Sequence, residues 1–182
     1  WRRRDDGEAR MKVLMISPGY PPEMALFTRA LAEAGAQVLG LGDGPAASGT
    51  SMTVTYVHDG DTLYLDPGTG GDELKVRLIG IDTPEIGENA ECYGDVARDR
   101  LRAVLPEGTV VTVVAEDGPL DQYGRSLLHV YLPDGTHVNR LLIDEGLALA
   151  MFYDPNRDFE VEFRSAERAA EDAGAGMWSA CR

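Results

Sequence analysis

Lysine is nearly absent from this chain, with only Lys12 and Lys75 among 182 residues. Almost every cation is therefore an arginine, and 17 basic residues face 31 acidic ones, a formal net charge of −14. A broad basic surface of the kind that grips phosphate backbones is excluded. A nucleic-acid partner would need a local arginine clamp, a bound cation, or high salt, which shortens the Debye length to about 3 Å at 1 M. Cysteine is equally sparse. Cys92 and Cys181 rule out a C-x-x-C metal or redox motif and leave two readings, unrelated thiols or one long-range disulfide. The disulfide would imply an oxidising compartment. No apolar run approaches the length of a membrane span. No charged segment leading into an apolar stretch marks a secretion signal. His58, His129 and His137 lack ligand spacing and read as structural or exposed.

What is present suits a globular protein: 43% hydrophobic and 26% charged residues, enough for one packed domain plus an appendage. The acid is unevenly placed. Residues 1–51 hold six basic and six acidic residues, which leaves 11 basic and 25 acidic ones for 52–182. The chain opens on Trp1, and Met11-Lys12-Val13 reads as a natural start.

Residues 11–43 follow one pattern: "MKVLMIS" as a buried-type strand, "SPGYPPE" as a loop, "MALFTRALAEAGA" as a helix, "QVLGLGD" as a second strand. This β-α-β unit belongs to parallel sheets. It resembles the opening of the ATP-grasp ligases, without a catalytic motif. One crossover cannot cover both faces of its strands, and "GLGDG" lacks the spacing of a phosphate-binding loop. Residues 1–43 are expected to be a truncated or fused leader and 44–51, "GPAASGTS", a flexible linker.

From residue 52 the pattern changes to short alternating strands. "MTVTYV" turns at Asp59-Gly60 into "TLYLD"; "LKVRLIGI", "TVVTVVA" and "SLLHVYL" follow. Helices fit 92–105, with Val96, Leu101 and Leu105 as apolar positions, then "NRLLIDEG" and roughly 158–173. Leu101, Leu105 and Trp178 read as core, and the charges of the last helix as its solvated face. Five strands with three helices predict a small closed barrel of the OB kind.

Charged residues interrupt this barrel at chosen places. Asp61 opens one strand, Arg77 lies inside the next, and Asp82 and Glu85 close it at Thr83-Pro84. Arg125 follows Tyr123-Gly124 at the entry to another. Carboxylates at strand ends can converge on one rim, and hard oxygens of this kind suit Ca²⁺ or Mg²⁺. Two arginines on that rim can grip a phosphate, and a remaining carboxylate can deprotonate water. Taken singly, Asp59 reads as a turn residue, Asp61 as a strand-end acid, Arg77 as an ion-pair partner of Asp82, and Glu85 as an acid at a helix N-terminus. Strict alternation sends Arg77 and Asp82 to opposite faces, so a shared site needs a bulge, expected at Gly80.

The strings "DGDT", "RLIGIDTPE", "YGDVA", "DQYGR", "DGTHVN", "EGLA" and "GMWS" occur in an order that resembles the staphylococcal (micrococcal) nuclease family over residues 52–182. That resemblance implies a five-stranded OB-like barrel and a Ca²⁺-dependent endonuclease acting on DNA and RNA, with 3′-phosphate products. It implies Asp61, Asp82 and the Thr83 carbonyl as calcium ligands. It implies Glu85 as the base for water and Arg77 and Arg125 as the phosphate clamp, with Tyr123 and Tyr153 bordering the nucleotide. No obligate protein partner is implied, and family habit points to a secreted or cell-surface protein.

Two departures stand out. The family's basic loop after the glutamate is here the shorter, acidic "IGENAE" (86–91), and Met151 or Phe152 stands where a tyrosine is expected. Weaker substrate binding follows. The competing reading is a catalytically weak OB-like module that binds nucleic acid or protein; a third gives the leader a ligase-like nucleotide role.

Overall fold

The computed structural model describes residues 49–181 in full and, ahead of them, the backbone of two strands. The chain divides into two units, residues 1–45 and 46–182. In the first, β1 (Lys12–Ile16) pairs in parallel with β2 (Gln37–Leu41), Lys12 opposite Gln37. The expected helix between them and most of the expected linker lie outside the described residues.

The second unit is a closed barrel. Its strands are β3 (Thr50–Val57), β4 (Thr62–Asp66), β5 (Leu74–Leu78), β7 (Val110–Val114) and β8 (Ser126–Tyr131), in the order β3-β4-β5-β8-β7. All neighbours are antiparallel except β5 and β8, whose parallel pairing at Val76–Ser126 to Leu78–Leu128 closes the ring. Closure satisfies every strand edge internally. The expected OB-like barrel is found. Thr50 and Ser51, expected as linker, belong instead to β3, where they pair with Val113 and Thr112.

Alternation explains each strand. In β4, Leu63 and Leu65 are fully buried while Tyr64 between them faces outward. Val54, Val76, Leu78, Val111 and Val130 fill the same interior, each worth roughly 1.5–3 kcal/mol when fully buried. Helix α1 (Gly94–Val104) buries Ala97 and Leu101 on one stripe, with Leu105 just past its end. Val96, expected on that stripe, is 46% exposed, because one residue before Ala97 is about 100° round the helix. Helix α2 (Val138–Asp144) buries Leu142 and Ile143; α3 (Glu160–Ala173) buries Phe163, Ala166 and Ala170 and ends on Gly174 at φ 64°. Truncating the fully buried Phe163 to Ala would cost about 3–5 kcal/mol. A fourth, short helix, α4 (Met177–Ala180), carries half-buried Trp178 beyond the three helices expected.

The expected single strand 74–81 is broken. β5 ends at Leu78, Gly80 takes φ 77° in a turn, and β6 (Ile81–Asp82) leaves to pair with β9 (Leu149–Ala150). A Cβ at Gly80 would sit 2.9 Å from the Phe152 ring and 3.0 Å from Phe163, so glycine is required for both dihedral and space. Asn139 ties this turn down by donating to the Ile79 carbonyl (2.9 Å) and accepting from the Val130 N–H (3.0 Å). Cys92 and Cys181 form a disulfide across 89 residues, which decides between the two readings of the cysteines.

Candidate active site

The Gly80 turn reverses the chain so that Arg77 and Asp82, five residues apart, meet on one side. Arg77 Nη2 lies 2.6 Å from Asp82 Oδ1 and Nε 3.0 Å from Asp61 Oδ1. Its Nη1 donates to the carbonyls of Leu78 (2.9 Å) and Ile81 (2.7 Å), clasping the turn itself. The expected bulge is therefore a full turn, and one guanidinium joins the two acids. The ion pair with Asp82 is real, and it sits inside a cleft rather than on open surface.

Asp61 is 6% exposed. Its Oδ2 accepts from the Thr83 N–H (2.9 Å) and hydroxyl (3.0 Å), binding β4 to the residue after β6. Asp59 shapes the approach: its Oδ1 accepts from the N–H groups of Asp61 (3.0 Å) and Thr62 (2.7 Å). Burial pushes the Asp61 carboxyl up to about 6, with Arg77 pulling the other way. Asp82 is raised too, first by burial against the pull of Arg77, then by the Glu91 carboxylate. Two ionised acids thus remain under-compensated even with Arg77 between them. An all-oxygen pair short of positive charge fits a hard divalent cation. Among the described residues no group of three or more His, Cys, Asp and Glu side chains is arranged to hold a metal, so further ligands would be carbonyl, water or phosphate oxygens.

Glu85 is exposed at the cleft and held by its backbone. Its N–H donates to Glu91 Oε2 (3.0 Å), and the Glu91 N–H donates back to its carbonyl (2.9 Å). Gly94, at the start of α1, packs so tightly here that a Cβ would lie 2.3 Å from the Glu85 carbonyl oxygen.

Arg125 is positioned by a residue the motif reading passed over. Asp121 Oδ2 lies 2.6 Å from Arg125 Nε, and its Oδ1 accepts from the N–H groups of Tyr123 and Arg125, both at 2.9 Å. Burial alone would raise the Asp121 carboxyl, but these hydrogen bonds outweigh it and hold the pKa below the usual carboxylate range. The Arg125 guanidinium sits 5.5 Å from the Tyr123 ring centroid. Asn156 joins this loop to the segment bearing Tyr153, accepting from the Gly118 N–H and donating to its carbonyl, both at 2.8 Å.

One cleft of about 720 Å³ is lined by Asp61, Arg77, Asp82, Glu85, Tyr123, Arg125 and Tyr153. Thr83 lies behind Asp61 rather than on the lining. Met151 lines the cleft, whereas Phe152 turns inward to Phe163, 5.8 Å between ring centroids. The pattern D-x-x-G-R marks Asp121 as a turn acid. Only its three-fold bonding in the fold separates it from any other. Gly94 is harder still, since nothing local distinguishes it from an ordinary helix-start glycine.

Comparison with known proteins bears on the family of the chain. The family model described as Staphylococcal nuclease homologue matches residues 75–180. A thermonuclease of Staphylococcus intermedius is 35% identical over 146 residues, covering 75% of this chain and 84% of that protein. A thermonuclease of Staphylococcus hyicus is 32% identical, covering 73% and 78%. Endonuclease YncB of Bacillus subtilis is 32% identical, covering 71% of this chain and 62% of its own length.

Proposed function

The chain belongs to the staphylococcal nuclease homologue family, and from that premise we propose that it is a Ca²⁺-dependent endonuclease that hydrolyses DNA and RNA to 3′-phosphate ends. The observation that carries the reading is the convergence of Asp61, Arg77, Asp82, Glu85 and Arg125 on one cleft.

A phosphodiester resists attack because its anionic oxygens repel the nucleophile. In the proposed reaction Asp61, Asp82 and the Thr83 carbonyl hold the cation. When bound, it neutralises phosphate charge and acidifies water. Arg77 spends Nε and Nη2 on Asp61 and Asp82. With those acids holding a cation, the same two N–H groups would be free for phosphate oxygens. Arg125, aimed by Asp121, supplies a second guanidinium from the same cleft. Glu85 takes a proton from water as its oxygen bonds phosphorus. The bond from phosphorus to the 5′ oxygen breaks, and that oxygen leaves as a hydroxyl with a proton from solvent. The two guanidiniums stabilise the extra charge of the five-coordinate transition state. Tyr123 and Tyr153, 76% and 72% exposed, offer faces to the nucleotide.

The leader contributes no residue to this set, and we assign it no step. Among the described residues no helix is long and apolar enough to cross a membrane. A secreted or cell-surface location belongs to the same proposal; its support is the disulfide, which persists in oxidising compartments. The test is degradation of plasmid DNA and of RNA with Ca²⁺ or chelator, with end-group analysis, for wild type and Glu85→Gln. Wild type should cut only with Ca²⁺. Glu85→Gln should bind Ca²⁺ normally and lose about 10²–10⁴ in rate. Wild-type turnover in Glu85→Gln would refute the base.

A further inference from the structure

The outer face of the barrel beside the cleft carries a row of side chains that the chemistry above does not use. Tyr56 stands opposite Tyr64 across β3 and β4, and Tyr64 stands opposite Lys75 across β4 and β5. The tyrosine ring centroids are 6.0 Å apart, and Lys75 Nζ is 5.9 Å from the Tyr64 ring. Arg102, from α1, places its guanidinium 5.7 Å from the Tyr56 ring, and the His58 ring is 6.4 Å from it on the cleft side. With strands about 4.8 Å apart, the row crosses roughly 10 Å of surface. Lys75 lies two residues before Arg77 on the same face of β5, about 7 Å away. His58, Lys75 and Arg77 all line the cleft, so row and cleft are one continuous surface.

Charge marks this row: among the described residues the cations without an ion-pair carboxylate are Lys75, Arg102 and Arg168, and the first two stand together here while Arg168 lies apart on α3. Arg98, Arg100, Arg125, Arg140, Arg157 and Arg164 are each neutralised in an ion pair. Neither Lys75 nor Arg102 has a carboxylate within ion-pair distance among the described residues. Arg102 instead donates to the Val57 carbonyl (3.0 Å) and toward the Tyr56 hydroxyl (3.4 Å). In a chain of net charge −14, two unneutralised cations beside the exposed Tyr56 ring and the half-buried Tyr64 ring complement an external anion that carries flat apolar faces. A single strand of nucleic acid has both, a backbone of phosphates and unpaired bases, whereas a duplex hides its base faces.

We propose that Tyr56, Tyr64, Lys75 and Arg102 form a track that binds the single strand running out of the cleft, with bases on the tyrosines and phosphates on the two cations. It rests on the nuclease reading for its substrate. It also explains how so acidic a protein with a short, acidic 86–91 loop holds a polyanion.

The test uses the full chain and two measurements. Binding of a fluorescent oligothymidylate of about 12 nucleotides is followed by anisotropy in chelator, where no turnover is needed. Cleavage of that oligonucleotide and of a dinucleotide is then measured with Ca²⁺. Tyr56→Ala and Tyr64→Ala should each weaken long-strand binding about five- to hundredfold, the range for losing one stacked base. They should raise KM for the long strand alike, leave kcat unchanged and leave the dinucleotide unaffected. Tyr64→Phe should restore binding, and Lys75→Ala, at an exposed position, should lower the salt slope by about 0.7. Should Tyr64→Ala fail to fold, Tyr56→Ala and Lys75→Ala carry the test. Long-strand binding equal to wild type in these variants, or an equal loss on the dinucleotide, overturns the track. Track-dependent binding without cleavage by any form would overturn the nuclease reading and leave the track standing.

Discussion

Replacing Gly94 by alanine is a small change that should disable the reaction from outside the cleft. The added Cβ would lie 2.3 Å from the Glu85 carbonyl oxygen and 2.9 Å from that of Pro84, where 3.0 Å is the closest real approach. Both obstacles are backbone, so the Glu85 segment must retreat by at least about 0.7 Å, or α1 must. Overpacking of this kind costs about 1–3 kcal/mol, partly offset by alanine's roughly 1 kcal/mol better helix propensity. A 1 Å displacement of a catalytic group lowers rate by about 10²-fold. Gly94→Ala should therefore fold, bind Ca²⁺ as wild type does, and turn over about 10- to 100-fold more slowly at saturating oligonucleotide. The assay is kcat alongside a thermal melt and a Ca²⁺ titration. Unchanged kcat in a folded variant would show that α1 yields instead, and the reasoning that Gly94 fixes the position of Glu85 would fail.

Two further outcomes concern stability. The half-buried His137 is held neutral, its pKa lowered to about 3 by burial, then by His129 and Arg140. The unfolded chain takes a proton below about 6.5 and the folded one does not, so this contribution is full above that pH and is lost as pH falls toward 3. Between pH 8 and pH 5 it amounts to about 2 kcal/mol. His137→Phe keeps a ring on Tyr131, now stacked at 4.4 Å, and should flatten the urea-midpoint fall by that amount; a fall as steep as wild type's would contradict it. Cys92→Ser with Cys181→Ser opens a loop spanning 89 residues, which a chain-entropy estimate values at about 4–5 kcal/mol. Equal denaturation midpoints for the double variant and wild type would argue against the bond.

The barrel was legible because its signals are local. Leu63 and Leu65 alternate with Tyr64, and Leu101 and Leu105 recur at helical spacing, so burial follows from the string of residues. What the string hides is non-local. The parallel closure of β5 on β8 leaves no mark in either strand, and β6, two residues long, exists only through its pairing with β9. Gly80 was visible as a weak point, but not as a turn with φ 77°. The residues that converge on the cleft were legible as an ordered set of short strings. Asp121 and Gly94 were not, because each acts on a neighbour's position through contacts that no spacing rule encodes. The cysteines could not be paired from sequence, since only the folded chain brings residues so far apart together.

The most direct test of the site is calorimetric titration of Ca²⁺ into wild type and Asp61→Asn. Wild type should bind one ion per chain, and Asp61→Asn, which keeps an acceptor for the Thr83 N–H but removes the charge, should bind none in the same range. One ion bound equally well by both forms would mean that the Asp61–Asp82 pair is not the cation site.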